Sequence, residues 1–526
     1  MKSLPIGMQY FKEIIEKNYL YVDKTEYIHK IASTGKFYFL SHPRRFVKSL
    51  LVSVLEELFK GNKESFERLY IYDKWNWENT YPIIKVDFGE ISHDTSSNLK
   101  LSLNKFLKNT ATNKNIDLEE TDLIPDKFSE LIKKLHDKTG KQVVVLIDEY
   151  DKPIIKHLND IELAESNRDV LSSFYQVLKD NDKYLRFVFL TGVSKFSKTS
   201  LFSELNNLDD LTLNPNFAKI CGHTQKELEK YFKEYIDEFA NNHNISKDII
   251  LSFIKEWYNG YSWNGKDFLY NPFSILNLFG TGEFNNYWFD TGSPTLLIDL
   301  IMNNPKNINT FLNPKTKFMG SFPSFDFGQI DLNTILLQTG YLTITEKKAV
   351  IGKLPEYCLA IPNKEVHDSF YSHLLSYFTG GSPGSIQPMA EDMLKYIIDN
   401  NEEKLTKSFE TLLNNIPSVL HEKIENINEA YYHILFSSWL HILGFDISNE
   451  DRILGEDSDS VLRIDDLVVI IEYEYSTKLS LDTMLNKGIE QIKNYGYHKA
   501  YQNKELIFVS IATKPKEVAC RIEKYN

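Results

Sequence analysis

The chain has 526 residues, of which 42% are hydrophobic and 25% are charged, a globular composition with length for about three or four domains. The 73 Asp and Glu residues outnumber the 60 Lys and Arg residues, which excludes a general attraction to nucleic acid or anionic membranes and restricts any nucleic-acid site to a local basic patch. The three cysteines match no disulfide or zinc spacing, and no apolar run reaches the ~18 residues of a membrane span, so we expect a cytoplasmic protein with no membrane partner.

The stretch "FYFLSHPRRFVKSLLVSVLEELF", residues 37–59, predicts an apolar strand, a basic loop and a helix. In a phosphate-binding loop a Lys neutralises the nucleotide phosphates and a hydroxyl holds Mg²⁺, and Lys48 and Ser49 occupy those positions. Val47 precedes the Lys, where a glycine would adopt dihedrals that cost a β-branched residue about 1 to 3 kcal/mol. We expect ATP as the cofactor and expect Val47 to weaken its binding. In the alternative, Lys48 and Ser49 only begin a helix.

Three further apolar runs, 82–88, 142–151 and 186–194, alternate with amphipathic helices. Continuous β-branched runs indicate strands buried on both faces, as in a parallel sheet flanked by helices. The second run ends in an acidic pair, in which Asp148 would hold Mg²⁺ through water and Glu149 would polarise the attacking water. The sequence therefore predicts an α/β nucleotide-binding domain, with a solvated strand end as the alternative for the acidic pair.

Polar and basic side chains near these elements complete the predicted nucleotide site. Thr191, Ser194 and Lys195 follow the last of the strands and are candidates for contact with the γ-phosphate. Arg44 and Arg45 lie in the basic loop and could bind phosphates of a nucleotide or of nucleic acid, although an Arg pair of this kind is also common on ordinary protein surfaces.

We predict that the first domain comprises residues 1–223. The residue pattern changes after it. Residues 224–379 are mainly helical in pattern and predict a lid and connector, and the aromatic stretch 257–263 could either pack within it or bind a protein partner. The run "GGSPGS", residues 380–385, predicts a linker because it is dense in residues that break regular structure. An α/β pattern follows over 386–526.

The segment "DSDSVLRIDDLVVIIEYEY" near the C-terminus predicts a β-hairpin. If residues 465–466 form a two-residue turn, Ile464 pairs with Leu467, and the same register places Asp459 opposite Glu472. Directly paired residues point to one face of a sheet with Cβ atoms about 5 Å apart. The two carboxylates are therefore expected to lie side by side.

Glu474 shares the face of Glu472, because side chains alternate along a strand. With Asp459, three carboxylates would gather on one short hairpin. Like charges at this separation repel unless a cation lies between them, and Mg²⁺ binds one or two carboxylates together with waters and a substrate phosphate. The geometry predicts metal-assisted hydrolysis of phosphodiesters, with an ordinary acidic strand edge as the alternative.

Motifs along nearly the whole chain resemble the family that couples an AAA-ATPase-like domain to a C-terminal PD-(D/E)XK nuclease-like domain. The resemblance is carried by "LPIG", "YLYVDKT", "PRRF-KSL", "LIDEYDKP", "GVSKFSKTSLFSELNNL" and "WYNGY". Members of that family usually read "RPRRFGKS", so this chain differs from them at His42, in place of Arg, and at Val47, in place of Gly. The resemblance implies a P-loop NTPase-like parallel sheet domain, a helical lid and a nuclease-like α/β domain.

The same resemblance implies roles in the hairpin. Asp459 stands in the Asp position of the PD-(D/E)XK motif, Glu472 in the (D/E) position, and Glu474 where Lys is usual, although some restriction enzymes of this superfamily use E-x-E. On the following helix, Gln491 and Tyr495 are similar to the Q-x-x-x-Y feature of some of these nucleases. The residue types imply Mg²⁺ held by Asp459 and Glu472, in addition to Mg²⁺ at the nucleotide site.

Three functional hypotheses follow. In the first, the protein is an ATP-gated nuclease that cuts nucleic acid with Mg²⁺ and hydrolyses ATP weakly, with Glu429 as a further candidate for an accessory acid. In the second, it is a nucleotide switch or a scaffold for nucleic acid or protein that keeps both folds but has lost catalysis at Val47 and Glu474. In the third, it is an ATPase that acts on protein partners.

Overall fold

A computed structural model describes residues 1–158, 160–195, 207–288, 316–319, 332–379, 383–414, 446–453, 456–464, 466–495, 504–515 and 517–525, together with residues 432, 435, 436, 438, 439 and 501. The chain divides into two compact units. The first takes in Met1–Trp288 and Lys317–Asn363, and the second takes in Phe289–Thr316 and Lys364–Asn526. None of the helices within the described ranges is long and apolar enough to span a membrane.

The first unit contains a parallel sheet of five strands in the order β2-β3-β4-β1-β5. These strands are β1 (Phe37–Ser41), β2 (Ile83–Asp87), β3 (Val143–Asp148), β4 (Leu185–Gly192) and β5 (Asp209–Asp210). Every residue of β1 and β3 is buried, as expected of continuous apolar runs that helices cover on both faces. The sheet confirms the predicted parallel α/β architecture.

Helices precede, separate and follow these strands. They are α1 (Phe11–Glu16), α2 (Thr25–Thr34), α3 (Lys48–Lys60), α4 (Ser96–Asn113), α5 (Ile124–Thr139), α6 (Lys152–Ile155), α7 (Ile161–Asp180), α8 (Gln225–Tyr231), α9 (Lys233–His243), α10 (Lys247–Tyr258), α11 (Pro272–Thr281) and α12 (Leu332–Thr339), with 3₁₀ turns at Lys63–Phe66, Asp182–Tyr184 and Pro215–Phe217. The helix α3 follows the basic loop and ends where Gly61 adopts a left-handed conformation, a common helix stop.

The structure differs from the mainly helical pattern expected over residues 224–379. Beside the helices, β7 (Thr343–Lys348) and β8 (Glu356–Ala360) form an antiparallel hairpin, and with β6 (Thr316–Met319) they make a small sheet in the order β6-β8-β7. The hairpin was missed because its register shifts between Ile344 and Glu346, which interrupts the period-two alternation that identifies strands in a sequence.

The second unit begins with the helices α13 (Lys364–Thr379), α14 (Pro383–Ile398) and α15 (Glu402–Asn414). The helix α14 starts inside the segment that the sequence suggests as a linker, at Pro383, because proline is well suited to the first turn of a helix. The remaining elements are β9 (Asp446–Ile453), β10 (Glu456–Ile464), β11 (Leu467–Tyr475), α16 (Leu481–Tyr495), β12 (Glu505–Lys514) and β13 (Glu517–Tyr525).

The five strands of the second unit form one sheet in the order β13-β12-β11-β10-β9. The pair β11–β12 is parallel and the other pairs are antiparallel. One face of the sheet and the helix α16 share an apolar core of Val461, Val468, Ile470, Ile489, Ile492, Leu506 and Phe508. Because side chains alternate, the face of β11 that carries Ile470 also carries Glu472 and Glu474, beneath α16.

Candidate functional site

Val47 adopts a left-handed backbone conformation, with φ 48° and ψ 26°, immediately before the helix α3. This conformation costs a β-branched residue about 1 to 3 kcal/mol, whereas glycine adopts it readily. Arg45 in the same loop also has a positive φ, of 68°. The structure confirms that this position requires the conformation of a glycine, so the loop has kept its backbone although the residue has changed.

Lys48 reaches back across the basic loop. Its ammonium donates hydrogen bonds to the carbonyl oxygens of His42 at 2.9 Å and of Pro43 at 2.8 Å. Burial lowers the pKa of Lys48, and the carboxylate of Asp148 opposes that shift. A charged phosphate is a stronger partner for an ammonium than a neutral carbonyl, so a bound nucleotide would compete well for Lys48.

His42 is buried and stacks on Trp263, with the ring centroids 4.3 Å apart. Burial lowers the pKa of His42 to about 3, so the imidazole is neutral. Neither ring nitrogen has a hydrogen-bond partner among the described residues. The position therefore supplies aromatic packing and not the positive charge of the Arg that is usual there.

The aromatic stretch 257–263 packs against the same loop. Tyr258, Tyr261 and Trp263 are buried. The ring of Phe46 lies 4.8 Å from that of Tyr261 and 5.7 Å from that of Trp263. These contacts favour packing inside the first unit over exposure to a protein partner.

The acidic residue at the end of β3 lies beside the loop. Asp148 is buried, and burial raises the pKa of its carboxyl, while a hydrogen-bonding interaction with the Ser49 hydroxyl and the charge of Lys48 oppose the rise. The structure thus brings together the three groups that the sequence assigns to phosphate and Mg²⁺ binding. Carboxylate and hydroxyl oxygens of this kind are suitable ligands for Mg²⁺.

The other predicted contacts to nucleotide are engaged with neighbouring residues. Glu149 forms an ion pair with Lys152 at 2.6 Å, and Lys195 forms one with Asp210 at 2.5 Å. Either ion pair would have to rearrange before Glu149 could activate water or Lys195 could contact a γ-phosphate.

The two arginines of the basic loop, Arg44 and Arg45, are exposed. The guanidinium of Arg45 lies over the ring of Phe273 at 4.5 Å from its centroid, and the carbonyl of Arg44 accepts a hydrogen bond from Trp288 at 3.2 Å. The backbone of Arg44 and the guanidinium of Arg45 are thus held in place at an exposed position of the loop.

Asp151 is a residue that sequence reasoning missed. It is buried, and its Oδ2 accepts hydrogen bonds from the backbone N–H groups of Val193 at 3.0 Å and Ser194 at 2.5 Å. Burial raises the pKa of Asp151 to about 6. The side chain therefore ties the segment after β3 to the end of β4 and fixes the backbone around Ser194. The available signal was the third acid of "IDEYD", three residues after Asp148.

An apolar pocket opens beside the loop within the first unit. Its lining includes Val22 from the N-terminal segment, Val47 and Leu51 from the loop and α3, and Phe232 and Leu276 from the later helices. Flat, mostly apolar ligand groups favour such sites. The pocket adjoins the residue that precedes Lys48, so a ligand with phosphates in the loop could place an aromatic base here.

Replacing Val47 by Gly is expected to tighten ATP binding at least about tenfold, which corresponds to 1.4 kcal/mol, because the two methyl groups next to the phosphates are removed. Val47→Ala is the comparison variant, since it removes the methyl groups but keeps a Cβ in the left-handed conformation. Calorimetric titration with ATP measures both. An affinity that Val47→Gly leaves unchanged would show that the valine does not obstruct the loop.

A second cluster of polar groups lies between β11 and α16. Glu472 is 2% exposed, and its Oε2 accepts a hydrogen bond from Nε2 of Gln491 at 3.1 Å. The pairing of β11 with β12 places Ser510 beside Glu472. A Cβ at Gly488 would collide with the Ser510 side chain, so the glycine lets α16 approach the sheet closely at this point.

Glu474 lies two residues farther along the same face and is paired with Lys487. The Lys487 ammonium donates to both carboxylate oxygens of Glu474, at 2.9 and 2.7 Å. The carboxylate is mostly buried, whereas the lysine side chain is 59% exposed. A positive charge therefore stands next to the position where the motif usually has its Lys, but it comes from the helix and not from the strand.

The predicted hairpin register is confirmed where it is described. Ile464 pairs with Leu467, and the ladder continues to Ser460 opposite Ile471. The next residue of β10 is Asp459, so the same register predicts it opposite Glu472. The side chains of Asp459 and Tyr495, and the whole of Glu429, lie outside the described part of the structure.

Lys487 is the second residue of a candidate site that sequence reasoning missed. It precedes Gln491 by four residues, and Gln491 precedes Tyr495 by four, so K-x-x-x-Q-x-x-x-Y places three polar residues along one face of α16. That spacing was the available signal. The motif identifies the strand residue Glu474. It does not identify Lys487, the partner of Glu474, which lies 13 residues later in the chain.

Comparison with known proteins agrees with one candidate site in the first unit and another in the second. The sequence model of a family described as "Predicted AAA-ATPase" matches residues 5–202, and that of the "PD-(D/E)XK nuclease superfamily" matches residues 427–523. A protein of Azotobacter chroococcum mcd 1, described as "Uncharacterized protein in vnfD 5'region", is 35% identical over 506 residues, which cover 95% of this chain and 94% of that protein. The crystal structure of Cdc6p from Pyrobaculum aerophilum is similar over 65% of this chain and 89% of its own at 12% identity, but its TM-score of 0.26 is too low to support an argument.

Proposed function

Because the chain belongs to the family that joins a predicted AAA-ATPase domain to a C-terminal PD-(D/E)XK nuclease superfamily domain, we propose that it binds ATP in its first unit and hydrolyses phosphodiester bonds of nucleic acid in its second. The observation that carries the proposal is the set of contacts between β11 and α16. Glu472 is buried and oriented by Gln491, and Glu474 is paired with Lys487.

These residues supply the groups that metal-assisted hydrolysis needs. Glu472 and Asp459 would hold Mg²⁺, which in such sites lowers the pKa of a bound water and polarises the phosphoryl oxygen. Gln491 holds the Glu472 carboxylate in one orientation. Lys487 would stabilise negative charge that develops on the scissile phosphate, the role for which Glu474 has the wrong charge.

The first unit supports ATP binding through its loop and pocket. Lys48 would contact the phosphates, Ser49 and Asp148 would hold Mg²⁺, and the apolar pocket beside Val47 would receive the adenine base. The strained Val47 and the ion pair of Glu149 with Lys152 favour binding without efficient hydrolysis. We therefore propose that nucleotide acts as a regulatory ligand, with weak ATPase activity.

Nucleic acid would be bound by local patches of positive charge, because the chain as a whole, with a formal net charge of -13, repels it. Arg44 and Arg45 are exposed and adjacent, and Lys487 stands at the second site. A cytoplasmic location belongs to this proposal, because that is where such substrates and ATP are both found.

A second candidate function is a scaffold that binds nucleotide, nucleic acid or protein but catalyses no reaction. The observation in its favour is the pair of departures from the usual motifs, at Val47 and Glu474. It differs from the first in one measurable respect, because a scaffold releases no cleavage product under any condition.

The test is to incubate the purified full chain with double-stranded DNA, single-stranded DNA and RNA, with Mg²⁺, Mn²⁺ or a chelator, and with or without ATP. The proposal predicts cleavage of at least one substrate that requires the metal and changes in rate with ATP. Cleavage that persists in the chelator would contradict the proposed metal-dependent site. The absence of cleavage from every combination would contradict the nuclease and leave the scaffold.

Replacing Lys487 by Met is expected to lower the cleavage rate about 10²- to 10³-fold, the usual effect of removing one group that stabilises transition-state charge. Lys493→Met is the matched control, because Lys493 lies on the same helix and forms an ion pair with Glu523 away from the two glutamates. Rates measured with saturating Mg²⁺ separate a loss of catalysis from a loss of metal binding. Equal rates for Lys487→Met and the control would exclude a catalytic role for Lys487.

A further inference from the structure

A group of three potential metal ligands lies in the first unit, apart from both sites described above. It consists of His93 and Asp94, in the segment between β2 and α4, and His157, between α6 and α7. Nδ1 of His93 lies 3.1 Å from Nε2 of His157, and one ligand atom from each of the three residues lies within 4.8 Å of the others. His93 is buried, His157 is partly buried and Asp94 is exposed, so the group is open to solvent on one side.

The two histidines are 64 residues apart in the chain, and buried contacts hold their segments together. Asn167 of α7 is fully buried, and its Nδ2 donates hydrogen bonds to the carbonyl of His93 at 3.0 Å and to that of Pro153 at 2.8 Å. The backbone N–H of His157 donates to the carbonyl of Ile154 at 3.0 Å. Asn167 therefore positions the backbone of His93 and the backbone of the segment that leads to His157. Ligands of a preformed metal site are held by buried contacts of this kind.

The separation of the two imidazole nitrogens suits zinc. Two Zn–N bonds of about 2.0 to 2.1 Å at a tetrahedral angle place the nitrogens about 3.3 Å apart. The observed 3.1 Å is close to that value, and small ring rotations would account for the difference. Two imidazoles and one carboxylate form a donor set that favours Zn²⁺ over Mg²⁺, which prefers oxygen ligands.

We propose that His93, Asp94 and His157 bind a zinc ion, with the fourth coordination position open to water. Asp94 now lies 3.6 Å from the ammonium of Lys156, an exposed ion pair that a divalent cation would replace. The inference does not depend on the proposed nuclease or on ATP binding, because it rests on other residues and a different metal.

A zinc ion bound by these three residues would link two segments that flank the acidic end of the nucleotide site. The segment that carries His93 follows Asp87, which is paired with Asp148 in the sheet. The segment that carries His157 follows Lys152, the partner of Glu149. Zinc would thus hold the ends of β2 and β3 and the turn after α6 in one arrangement.

The test uses the untagged full chain, stripped of metal and kept in roughly millimolar Mg²⁺ so that the carboxylate sites prefer that ion. Co²⁺ is added as a spectroscopic substitute for zinc, followed by competition with Zn²⁺. The proposal predicts one equivalent of Co²⁺ with visible absorption bands of a four-coordinate site, displaced by one equivalent of Zn²⁺, and a rise in the melting temperature with Zn²⁺.

Asp94→Asn and His157→Ala are the informative variants, because both positions are more exposed than His93 and are expected to tolerate change. Each should weaken Zn²⁺ binding at least about tenfold, the smallest loss seen when even an outer partner of a metal site is removed. His136→Ala, a histidine on α5 that is not part of the group, is the control. Absence of the Co²⁺ bands from the wild-type protein, or equal zinc affinity in all variants, would overturn the proposal.

Discussion

Replacing Glu472 by Gln is expected to abolish metal-dependent cleavage, with a loss of at least about 10³-fold in rate, because the change removes the proposed metal ligand, and a bound metal ion contributes several kcal/mol of transition-state stabilisation. Gln has the same shape and can still bond to Gln491, so the packing under α16 should be preserved. The change removes a negative charge from a site that is 2% exposed. Loss of function without loss of fold is therefore the specific expectation.

The measurement compares cleavage and Mn²⁺ binding by wild type, Glu472→Gln and Glu505→Gln. Glu505 is an exposed glutamate at the start of the neighbouring strand β12 and serves as the matched control. Thermal melting of all three proteins shows whether the fold survives. The variant also tests for a contaminating nuclease, since activity that is equal in all three preparations cannot come from this site.

Replacing Lys48 by Ala is expected to reduce ATP affinity at least about 100-fold, a change of roughly 2.7 kcal/mol, because the charged hydrogen bonds to the phosphates are lost. The variant also removes the hydrogen bonds that the carbonyl groups of His42 and Pro43 accept from the Lys48 ammonium. Calorimetric titration with ATP and ADP, with and without Mg²⁺, measures the affinity. Lys60→Ala, at the opposite end of the same helix, is the control for a change in local charge.

The outcome for wild type decides how the loop is interpreted. ATP binding that depends on Lys48 would mean that the loop tolerates the left-handed Val47. ATP binding that Lys48→Ala leaves intact would place the nucleotide elsewhere. No ATP binding by wild type, together with its appearance in Val47→Gly, would assign the loss to that single residue.

Much of the fold was predictable because it follows from local residue patterns, such as apolar runs and short turns. The runs of β1 and β3 are buried along their whole length, as expected of strands covered on both faces, and each of these strands lies second from an edge of the five-stranded parallel sheet. The hairpin register followed from the two-residue turn between Ile464 and Leu467. The hairpin of β7 and β8 was not predictable in this way, because its alternation is broken by a register shift.

The left-handed conformation of Val47 is an example of a structural detail that the sequence predicts well. A position between a strand and the Lys of a phosphate loop has one suitable backbone geometry, whichever residue occupies it. The structure keeps that geometry, with φ 48°. The neighbouring His42 was less predictable, because its role depends on Trp263, which lies 221 residues later in the chain and stacks on it.

By itself the sequence determined the two α/β units, the end of β3 that carries Asp148, the strand β11 that carries Glu472, and the loop with Lys48, because each of these follows from the spacing of residues close together in the chain. Only the tertiary structure decided which partners those residues meet. Lys487 reaches Glu474 from a helix, Asp151 holds the end of another strand, and His93 lies beside His157. Such contacts depend on how separate elements pack against one another. The residue pattern of one helix or strand predicts which of its faces is buried, but not which side chain of another element that face will contact.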